Sequence, residues 1–535
     1  MQKAFFFKYL PLILLGVLLL TGLVTIFVQV DNYGITIDEP KHDAYGHAIM
    51  EWYATFGKDT SFLTAFPTDA YLPEHGGFFD VVIAVAQQMF PTSEHWQVRH
   101  IVTALCGLLG LVVIALCAYE LGMGSYWMAF LAAFALWFYP RYYGAIYNNP
   151  KDVPAAVTTM LVVWAILVLI KQWESKKHVL RNSLLVGFCI GLAVAIRVPE
   201  VIWYPTLVLI LFVWWVLQGR RIQQEGKLRS ELIQQVIAIG VISITSLLTM
   251  IAFWPYIFLN PVKNLLHSIK LMSQYPWDGP VFFNGITVPA EHLPRIYAPE
   301  WLVIGSPLSL VLFALLGLVI ACLWILKKRA IEPRVGVVIL SLFVPLGAIV
   351  VLHSVLYDSL RQILFIVPSM ILLAVYGFVQ SIQYMKKSKW QTLRWAAVGV
   401  ATLTLVSYAL VIGEMVRMSP FEYTYFSPIV GGLSGAQGKF ETDYWGTCAT
   451  QAQEWLDQNY QQYTNISDPS VKIMTYQYPS DPTLLPAFHA DDTNPDFYIA
   501  STRYNLNQNF PGYKVIHVVA AEGVPLCVIK MKPTP

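Results

Sequence analysis

Four places in an otherwise apolar chain carry carboxylates, and three of these places carry a cation as well. This arrangement suits transfer from a lipid-phosphate donor, because cations can hold the phosphate, which is also the leaving group. A carboxylate can take the proton from the acceptor hydroxyl. Phosphate leaves without a second carboxylic acid to protonate it, unlike the leaving group of a glycosidase. The residues at the four places are Asp38 with Glu39, Lys151 with Asp152, Arg197 with Glu200, and Asp358 with Arg361.

The first two places also have structural interpretations. Asp38-Glu39 directly follows the first apolar stretch and precedes Pro40, so the pair could belong to a solvated loop or cap a helix. Asp152 could interact with the dipole of the helix that follows it, but Lys151 is disfavoured at that position. Ionisable groups at membrane level are costly and usually functional, which favours an interfacial site.

The other two places have structural alternatives as well. Arg197 and Glu200 flank Pro199 and could extend out of the bilayer as ordinary interfacial charges. Asp358 and Arg361 are one helical turn apart and could simply pair with each other.

A further basic pair, His292 and Arg295, lies on a long loop. Histidines in such loops are more often structural than catalytic. We nevertheless include both residues as substrate-binding candidates, and Arg295, with Lys151, Arg197 and Arg361, as a candidate for holding the phosphate.

Composition identifies the class of protein. The 535 residues are 56% hydrophobic and only 13% charged, whereas about a quarter of the residues in an average soluble domain are charged. The chain is therefore an integral membrane protein. Its net charge of +2 gives no indication of nucleic acid binding, because the basic residues flank apolar runs.

Short loops rich in Lys and Arg predict the orientation. They are Lys171–Arg181, Arg220–Arg229, Lys327–Arg334 and Lys386–Arg394, and such loops mark the cytoplasmic side of a membrane. The four places that carry the candidate residues fall in other loops, which the same pattern predicts on the opposite side of the membrane. We therefore expect the candidate site at the external face of the cell (inner) membrane, with the N-terminus in the cytoplasm.

Runs of about 20 apolar residues predict the membrane-spanning helices. An odd count places the C-terminus outside. The least secure pair is 100–119 and 125–141, which a short uncharged connection joins. The eleven predicted spans are 9–30, 100–119, 125–141, 154–171, 180–196, 201–217, 233–254, 302–326, 335–352, 362–381 and 395–416.

Two domains follow from this pattern. Residues 1–416 form the transmembrane domain, whose long first external loop, 31–99, contains two predicted interfacial helices, Glu39–Phe56 and Phe78–Phe90. Residues 417–535 are more polar and form a small external α/β domain. Its predicted elements are a helix at Thr447–Asn459 and strands at Val471–Tyr476, Phe497–Ser501, Lys514–Val519 and Leu526–Met531.

Cysteine positions predict one disulfide and no metal site. Cys448 and Cys527 are the two cysteines of the external domain, and external compartments are oxidising. We expect them to be bonded, with two buried free thiols as the alternative. Cys and His spacings typical of metal sites are absent from the sequence, although a divalent cation is not excluded.

The sequence resembles the C-type membrane glycosyltransferases, and within them the group of protein mannosyltransferases and aminoarabinose transferases (a bacterial branch). The resemblance covers most of the membrane body. It rests on Asp38-Glu39 after the first span, on the long first loop, and on three motifs. These motifs are Asn149-Pro150-Lys151-Asp152-Val153-Pro154, Tyr357-Asp358-Ser359-Leu360-Arg361-Gln362, and Glu422-Tyr423-Thr424-Tyr425-Phe426 with Glu441-Thr442-Asp443-Tyr444-Trp445-Gly446.

The resemblance implies an inverting transfer of a sugar from a polyprenyl-phosphate donor to an external acceptor, which could be a glycan, a lipid or a protein. It maps the family's catalytic carboxylate onto Asp38, with Glu39 as its neighbour, and it makes Lys151, Asp152 and Arg361 donor-site candidates. Two alternatives remain open. One is a transporter or flippase of lipid-linked sugars, and the other is a ligase or polymerase of sugar chains that uses the same type of donor.

Overall fold

A bundle of apolar helices carries a small sheet domain at its C-terminal end. The computed structural model describes residues 2–64, 71–175, 178–226, 228–277, 279–328, 332–476 and 485–533. Its helices are α1 Gln2–Gln29, α2 Glu39–Ala54, α3 Phe78–Met89, α4 His95–Leu121, α5 Tyr126–Trp137, α6 Pro140–Ala145, α7 Asp152–Ser175, α8 Val179–Ile196, α9 Trp203–Gln224, α10 Leu228–Phe253, α11 Pro255–Leu259, α12 Pro261–Ser273, α13 Tyr297–Ile304, α14 Leu308–Lys328, α15 Pro333–Leu352, α16 Val367–Lys386, α17 Gln391–Met418, α18 Gly432–Ala436 and α19 Cys448–Asn459.

Ten helices of the described chain are long and apolar enough to cross a membrane. They agree with ten of the eleven predicted spans, so the chain has the fold of a multi-pass membrane protein. The ten are α1, α4, α7, α8, α9, α10, α14, α15, α16 and α17.

The predicted span 125–141 is the exception. Helix α5 has only 12 residues, or roughly 18 Å at 1.5 Å per residue. It stops because Pro140 lacks a backbone N–H and keeps the preceding residue out of the helical region. Tyr139 accordingly has φ −93° and ψ 106°.

The chain nevertheless returns along the bundle after α5, through the short helix α6. At one end of the bundle, Lys171 of α7 pairs with Glu120 of α4 at 2.9 Å. At the other end, the Asn148 side chain donates to the carbonyl of Gly34 at 3.2 Å. Residues 126–148 therefore lead from the Glu120 end to the end where the first loop begins.

Helix α7 forms the centre of the bundle. In its most apolar window 83% of the residues are buried within the protein, against 11% for α17. A helix that is apolar on every face is buried by its neighbours, which fix its position and that of the residues at its ends. Asp152, one of the candidate site residues, is the first residue of α7.

The first loop contains both predicted interfacial helices, which begin at the predicted residues, Glu39 for α2 and Phe78 for α3. They pack closely because Gly46 has no side chain. A Cβ atom on Gly46 would lie 2.4 Å from the Asp80 carbonyl oxygen. Helix α3 also packs against α4 and α8. The first turn of α2 begins directly after Asp38, one of the candidate site residues.

The C-terminal domain is built on a mixed five-stranded sheet, which contains the four predicted strands and one further short strand, His489–Ala490. The strands lie in the order β4-β3-β5-β7-β6, in which β3 is parallel to β4 and β5, and β7 is antiparallel to β5 and β6. A separate hairpin, β1 with β2, lies in the loop after α12. The strands are β1 Pro280–Phe283, β2 Ile286–Pro289, β3 Ser470–Met474, β4 His489–Ala490, β5 Phe497–Ser501, β6 Lys514–Ala521 and β7 Val524–Met531.

Cys448 at the start of α19 and Cys527 in β7 are joined by a disulfide, with Cα atoms 5.7 Å apart and a sequence separation of 79. A loop of this length implies a stabilisation on the order of 4 kcal/mol through the unfolded state. The bond ties the helix of the domain to its sheet.

We expect denatured, unreduced protein to react with four maleimide equivalents and reduced protein with six, counted by intact mass. The four are the free thiols of Cys106, Cys117, Cys189 and Cys322. Cys527→Ser should lower the melting temperature of the domain, whereas Cys322→Ser, the matched free-thiol control, should leave it unchanged. Six reactive thiols before reduction would contradict the assignment.

Candidate active site

Asp38 lies at the junction between the first loop and the membrane helices. It is the N-cap residue of α2, but its side chain makes no capping hydrogen bond, so the capping interpretation does not describe it. One carboxylate oxygen instead accepts from Arg361 Nη1 at 2.8 Å. The other lies 3.3 Å from Lys41 Nζ, and the side chain is 26% exposed. Asp38 is therefore a partly accessible carboxylate held between two cations.

Glu39 has a different environment. Its side chain is fully buried. One oxygen accepts from the Thr36 backbone N–H at 2.7 Å, and the other lies 2.9 Å from His100 Nε2 and 3.4 Å from Arg99 Nε. The neighbouring carboxylates thus diverge, and Glu39 anchors α2 to α4 while Asp38 faces Arg361.

Arg361 is the hub of a carboxylate cluster. Besides Asp38, its guanidinium lies 3.4 Å from Asp358 and 4.0 Å from Asp152. Asp358 and Ser359 both have left-handed backbone conformations, with φ of 56° and 64°. Such conformations cost roughly 1–3 kcal/mol each and persist where the surroundings fix them, commonly at functional sites. The strained turn directs Asp358 and Arg361 toward each other.

Asp152 brings α7 and α8 into the same cluster. Its Oδ1 accepts from Arg197 Nη1 at 2.5 Å, and its Oδ2 accepts from the Asn149 side chain at 2.8 Å. Asn149 in turn accepts the backbone N–H of Asp152 at 2.8 Å, which caps the start of α7. Lys151 lies close enough to the first loop to influence its histidines. Burial and then the Lys151 charge lower the pKa values of His42 and His75.

Three predicted site residues do not join this cluster. Glu200 is buried and accepts from Thr159 Oγ1 at 2.7 Å and Trp203 Nε1 at 2.8 Å, so it ties α7 to α9. His292 is 70% exposed and lies 3.6 Å from its neighbour Glu291. Arg295 is exposed on the same loop. None of the three contacts Asp38 or Arg361 in the described contacts, although Glu200 lies near enough to Arg197 to interact with its charge. Their assignment to substrate binding stays a prediction.

The C-terminal domain contributes a cation that sequence reasoning missed. Arg503 donates to Asp358 through Nη2 in a short contact and to the Tyr444 carbonyl at 2.6 Å. Its Nε lies 3.8 Å from Glu441. Burial raises the pKa of Glu441 to about 7, although the Arg503 charge opposes that shift. The strongest available signal was the motif that contains Glu441; no local pattern marks Arg503.

The remaining motif residues fasten the segment after α17 to the bundle. Tyr33 donates its hydroxyl to Glu422 at 2.9 Å, and burial raises the pKa of Glu422 to about 7. Arg141 donates to the Tyr425 carbonyl at 2.9 Å and to Ser359 Oγ at 3.1 Å. Arg141 therefore links the segment to the strained turn before Arg361.

The electrostatics of Asp38 keep it ionised. Burial alone would raise the pKa of its carboxyl, but Lys41, Arg361 and the hydrogen bond from Arg361 together hold it well below its ordinary value. An ionised carboxylate beside a guanidinium can accept a proton once the cation is engaged elsewhere. The guanidinium can receive an anion in the same step.

A second buried cluster lies directly behind Glu39. Arg99 is almost fully buried and lies 3.3 Å from Asp43 and 3.6 Å from Asp80. Asp43, together with His47 and His95, offers three potential metal-ligand atoms that all lie within 4.8 Å of one another. Sequence analysis found no Cys/His metal pattern, and the available signal was the spacing of Asp43 and His47 on one helix face.

No protein-family model and no curated protein matches this chain. Solved structures do. The oligosaccharyltransferase of Archaeoglobus fulgidus, tethered with an acceptor peptide containing the NVT sequon, matches at TM-score 0.50 and 14% identity. The match covers 91% of this chain and 64% of that one, so this chain spans under two thirds of its length.

Two further structures are similar. AglB, the archaeal oligosaccharyltransferase from Archaeoglobus fulgidus, in complex with an inhibitory peptide and a dolichol-phosphate, matches at TM-score 0.51 and 13% identity over 93% of this chain and 70% of that one. ArnT from Cupriavidus metallidurans bound to undecaprenyl phosphate has TM-score 0.47 and 15% identity, covering 97% and 99%. At identities this low, the two oligosaccharyltransferase matches establish the fold alone. The chain therefore has the fold of these oligosaccharyltransferase structures.

Proposed function

We propose that this protein transfers a sugar from a polyprenyl-phosphate donor to an acceptor outside the cytoplasm, with inversion at the anomeric carbon. The observation that carries the proposal is the 2.8 Å hydrogen bond from Arg361 Nη1 to Asp38 Oδ2, between residues 323 positions apart in sequence. A base and a phosphate-binding cation are thereby adjacent at the end of the membrane helices, where a lipid-borne phosphate would lie.

The orientation of the site supports this function. Lys171, in one of the basic loops, is at the opposite end of α7 from Asp152. Basic loops favour the cytoplasmic side, so the Asp38 end is external. The disulfide of the C-terminal domain is consistent with an oxidising compartment on that side.

The donor phosphate has several cations available near Asp38. Arg361 and Lys41 contact Asp38 directly. Arg197 contacts Asp152, whose other carboxylate oxygen lies near Arg361. Each of these cations is paired with an aspartate. An incoming phosphate would replace carboxylate oxygens around Arg361 with its own, as charge-assisted bidentate pairs favour.

The chemical step needs one base. The acceptor hydroxyl oxygen forms a bond to the anomeric carbon while its proton passes to Asp38. The bond from that carbon to the phosphate oxygen breaks, and polyprenyl phosphate leaves with the electron pair. A single displacement from the face opposite the leaving group inverts the anomeric configuration. When the phosphate binds Arg361, its negative charge offsets the guanidinium charge that acts on Asp38. The pKa of the Asp38 carboxyl then rises toward the operating pH, where a general base is most effective.

A protein of the same fold supports the type of donor. One of the matching oligosaccharyltransferase structures contains a dolichol-phosphate, which is a polyprenyl-type phosphate. We therefore expect a lipid phosphate to bind beside Asp38 here as well. The sugar and the acceptor are left open, as is the role of the C-terminal domain beyond contributing Arg503.

The proposal is tested with purified full-length protein in proteoliposomes loaded with polyprenyl phosphate carrying a radiolabelled sugar. Membrane extract is supplied as the acceptor source. We expect free polyprenyl phosphate to accumulate in step with labelled product. Movement of intact donor between leaflets without cleavage of the sugar–phosphate bond would instead establish a transporter, the alternative considered from sequence.

A further inference from the structure

A second polar cluster lies next to the proposed active site but takes no part in the transfer chemistry. Asp43 and His47 are both on α2, four residues apart, and this spacing puts them on one face of the helix. His95 is the first residue of α4. We propose that Asp43, His47 and His95 bind one zinc-type divalent ion that fastens α2 to α4.

The ligand atoms are close to coordination distance. His95 Nε2 lies 2.8 Å from Asp43 Oδ2, and the rings of His47 and His95 lie nearly parallel, with centroids 6.0 Å apart. All three ligand atoms lie within 4.8 Å of one another, against roughly 3.3 Å between ligands of a tetrahedral zinc. His95 is 46% exposed, so its side chain has the freedom to close the difference.

The buried charges around the cluster favour a cation. Three carboxylates, those of Glu39, Asp43 and Asp80, lie within 3.6 Å of the single guanidinium of Arg99. Each carboxylate also contacts an imidazole, Glu39 that of His100, Asp43 that of His95 and Asp80 that of His42. Arg99 is the one permanently charged cation in these described contacts, and electrostatic interactions are strong where groups are poorly solvated. A divalent ion at Asp43 would therefore add favourable positive charge beside the three carboxylates.

Gln87 completes the arrangement around the three ligands. Its side chain is buried. Its Oε1 lies 3.1 Å from His47 Nε2, and its Nε2 donates to Asp43 Oδ1 at 2.9 Å and lies 3.0 Å from His95 Nε2. The contacts to the two histidines are made to their Nε2 atoms, so an ion bound through those atoms would replace them. The hydrogen bond to Asp43 Oδ1 would remain and orient that carboxylate, as polar neighbours of metal ligands commonly do. One side chain thus touches all three ligands and orients the carboxylate among them.

The ligand types select the metal. Two imidazoles and one carboxylate suit zinc and similar transition metals, whereas magnesium and calcium prefer sets of oxygen ligands. Exposure of His95 leaves an open side for water as a fourth ligand.

The consequence concerns the first turn of α2. This turn carries Asp38 and Glu39, while α4 carries the Arg99 and His100 side chains that contact Glu39. A metal that fixes α2 against α4 one to two turns further along would hold the carboxylate of Asp38 in its position. Its role is structural, and it does not depend on which reaction the site performs.

The test uses full-length, tag-free protein in detergent, stripped with chelator and titrated with zinc, with bound metal measured by calorimetry and elemental analysis. We expect one zinc per chain, undiminished by excess magnesium, and a zinc-dependent rise in melting temperature. His95→Gln and His47→Ala should each weaken binding by about 10-fold or more. His292→Ala, an exposed histidine on another loop, should bind as wild type.

Two results would overturn the inference. One is absence of stoichiometric zinc in the wild type, which would leave the cluster as a hydrogen-bonded contact between α2 and α4. The other is equal affinity in wild type and the His47→Ala/His95→Gln double variant, which would assign bound zinc to other residues. His95→Gln by itself keeps the test decisive if loss of His47 prevents folding, since His95 is half-exposed.

Discussion

Asp38→Asn should lower sugar transfer by about 100-fold or more, the usual scale for loss of a general base. The amide preserves the shape of the side chain and can still contact Arg361, but it cannot accept the acceptor proton. Donor binding should change little or become tighter, because the variant removes a carboxylate that competes with the phosphate for Arg361. The measurement is kcat for transfer with saturating donor, beside binding of undecaprenyl phosphate to the same preparation.

Glu39→Gln is the matched control for Asp38→Asn. Glu39 is fully buried against Arg99 and His100, so its loss should act mainly on stability, because it leaves a buried guanidinium less well compensated. We expect a lower melting temperature and a smaller loss of transfer. Inactive Glu39→Gln protein beside near-wild-type Asp38→Asn protein would reverse the two roles. Full activity in both would remove this pair from the mechanism.

Arg361→Ala should weaken binding of the donor by about 10- to 100-fold, the range that corresponds to loss of a charge-assisted hydrogen bond. Acceptor binding should change less, because the guanidinium is proposed to contact the phosphate. The measurement compares the affinity for undecaprenyl phosphate with that for the neutral alcohol undecaprenol. The wild type should prefer the phosphate, and the variant should lose most of that preference.

The same variant has a pH signature. In the wild type the cations hold the pKa of Asp38 below its ordinary value, so the acid limb of kcat/KM for the free enzyme lies at low pH. Burial raises the pKa of Asp38, and the Arg361 charge counters that effect. Without Arg361 the pKa of Asp38 should therefore rise, and the acid limb of kcat/KM should move to higher pH. Arg361→Lys should restore part of the shift, since it restores the charge without the planar guanidinium.

Arg295→Ala is the control for Arg361→Ala. Arg295 is also an arginine of a proposed external loop, but it is exposed and lies outside the buried cluster. We expect near-wild-type donor binding and an unchanged pH profile. An equal effect of both substitutions would mean that the loss reflects net surface charge, and the assignment of Arg361 would then be wrong.

The sequence by itself determined the membrane class and most of the architecture. Apolar runs located the ten long helices, because length and hydrophobicity are local properties of the chain. The predicted span 125–141 was too long, because helix α5 ends at Trp137. Pro140, which cannot continue a helix from the preceding residues, indicated this end in the sequence. Cysteine content restricted the disulfide partners of the external domain to a single pair. Short apolar and β-branched segments located four of the five strands of its sheet, whereas β4 was not predicted.

Only the tertiary structure decided which charges meet. Asp38 and Glu39 are neighbours in sequence, yet one faces Arg361 and the other is buried against α4, because the first turn of a helix directs adjacent side chains to different sides. Arg503 joins the cluster from a separate domain, whereas Glu200 and Arg295, which looked equivalent in sequence, do not. Contacts between residues hundreds of positions apart depend on how the helices pack around α7, and no local pattern encodes that packing.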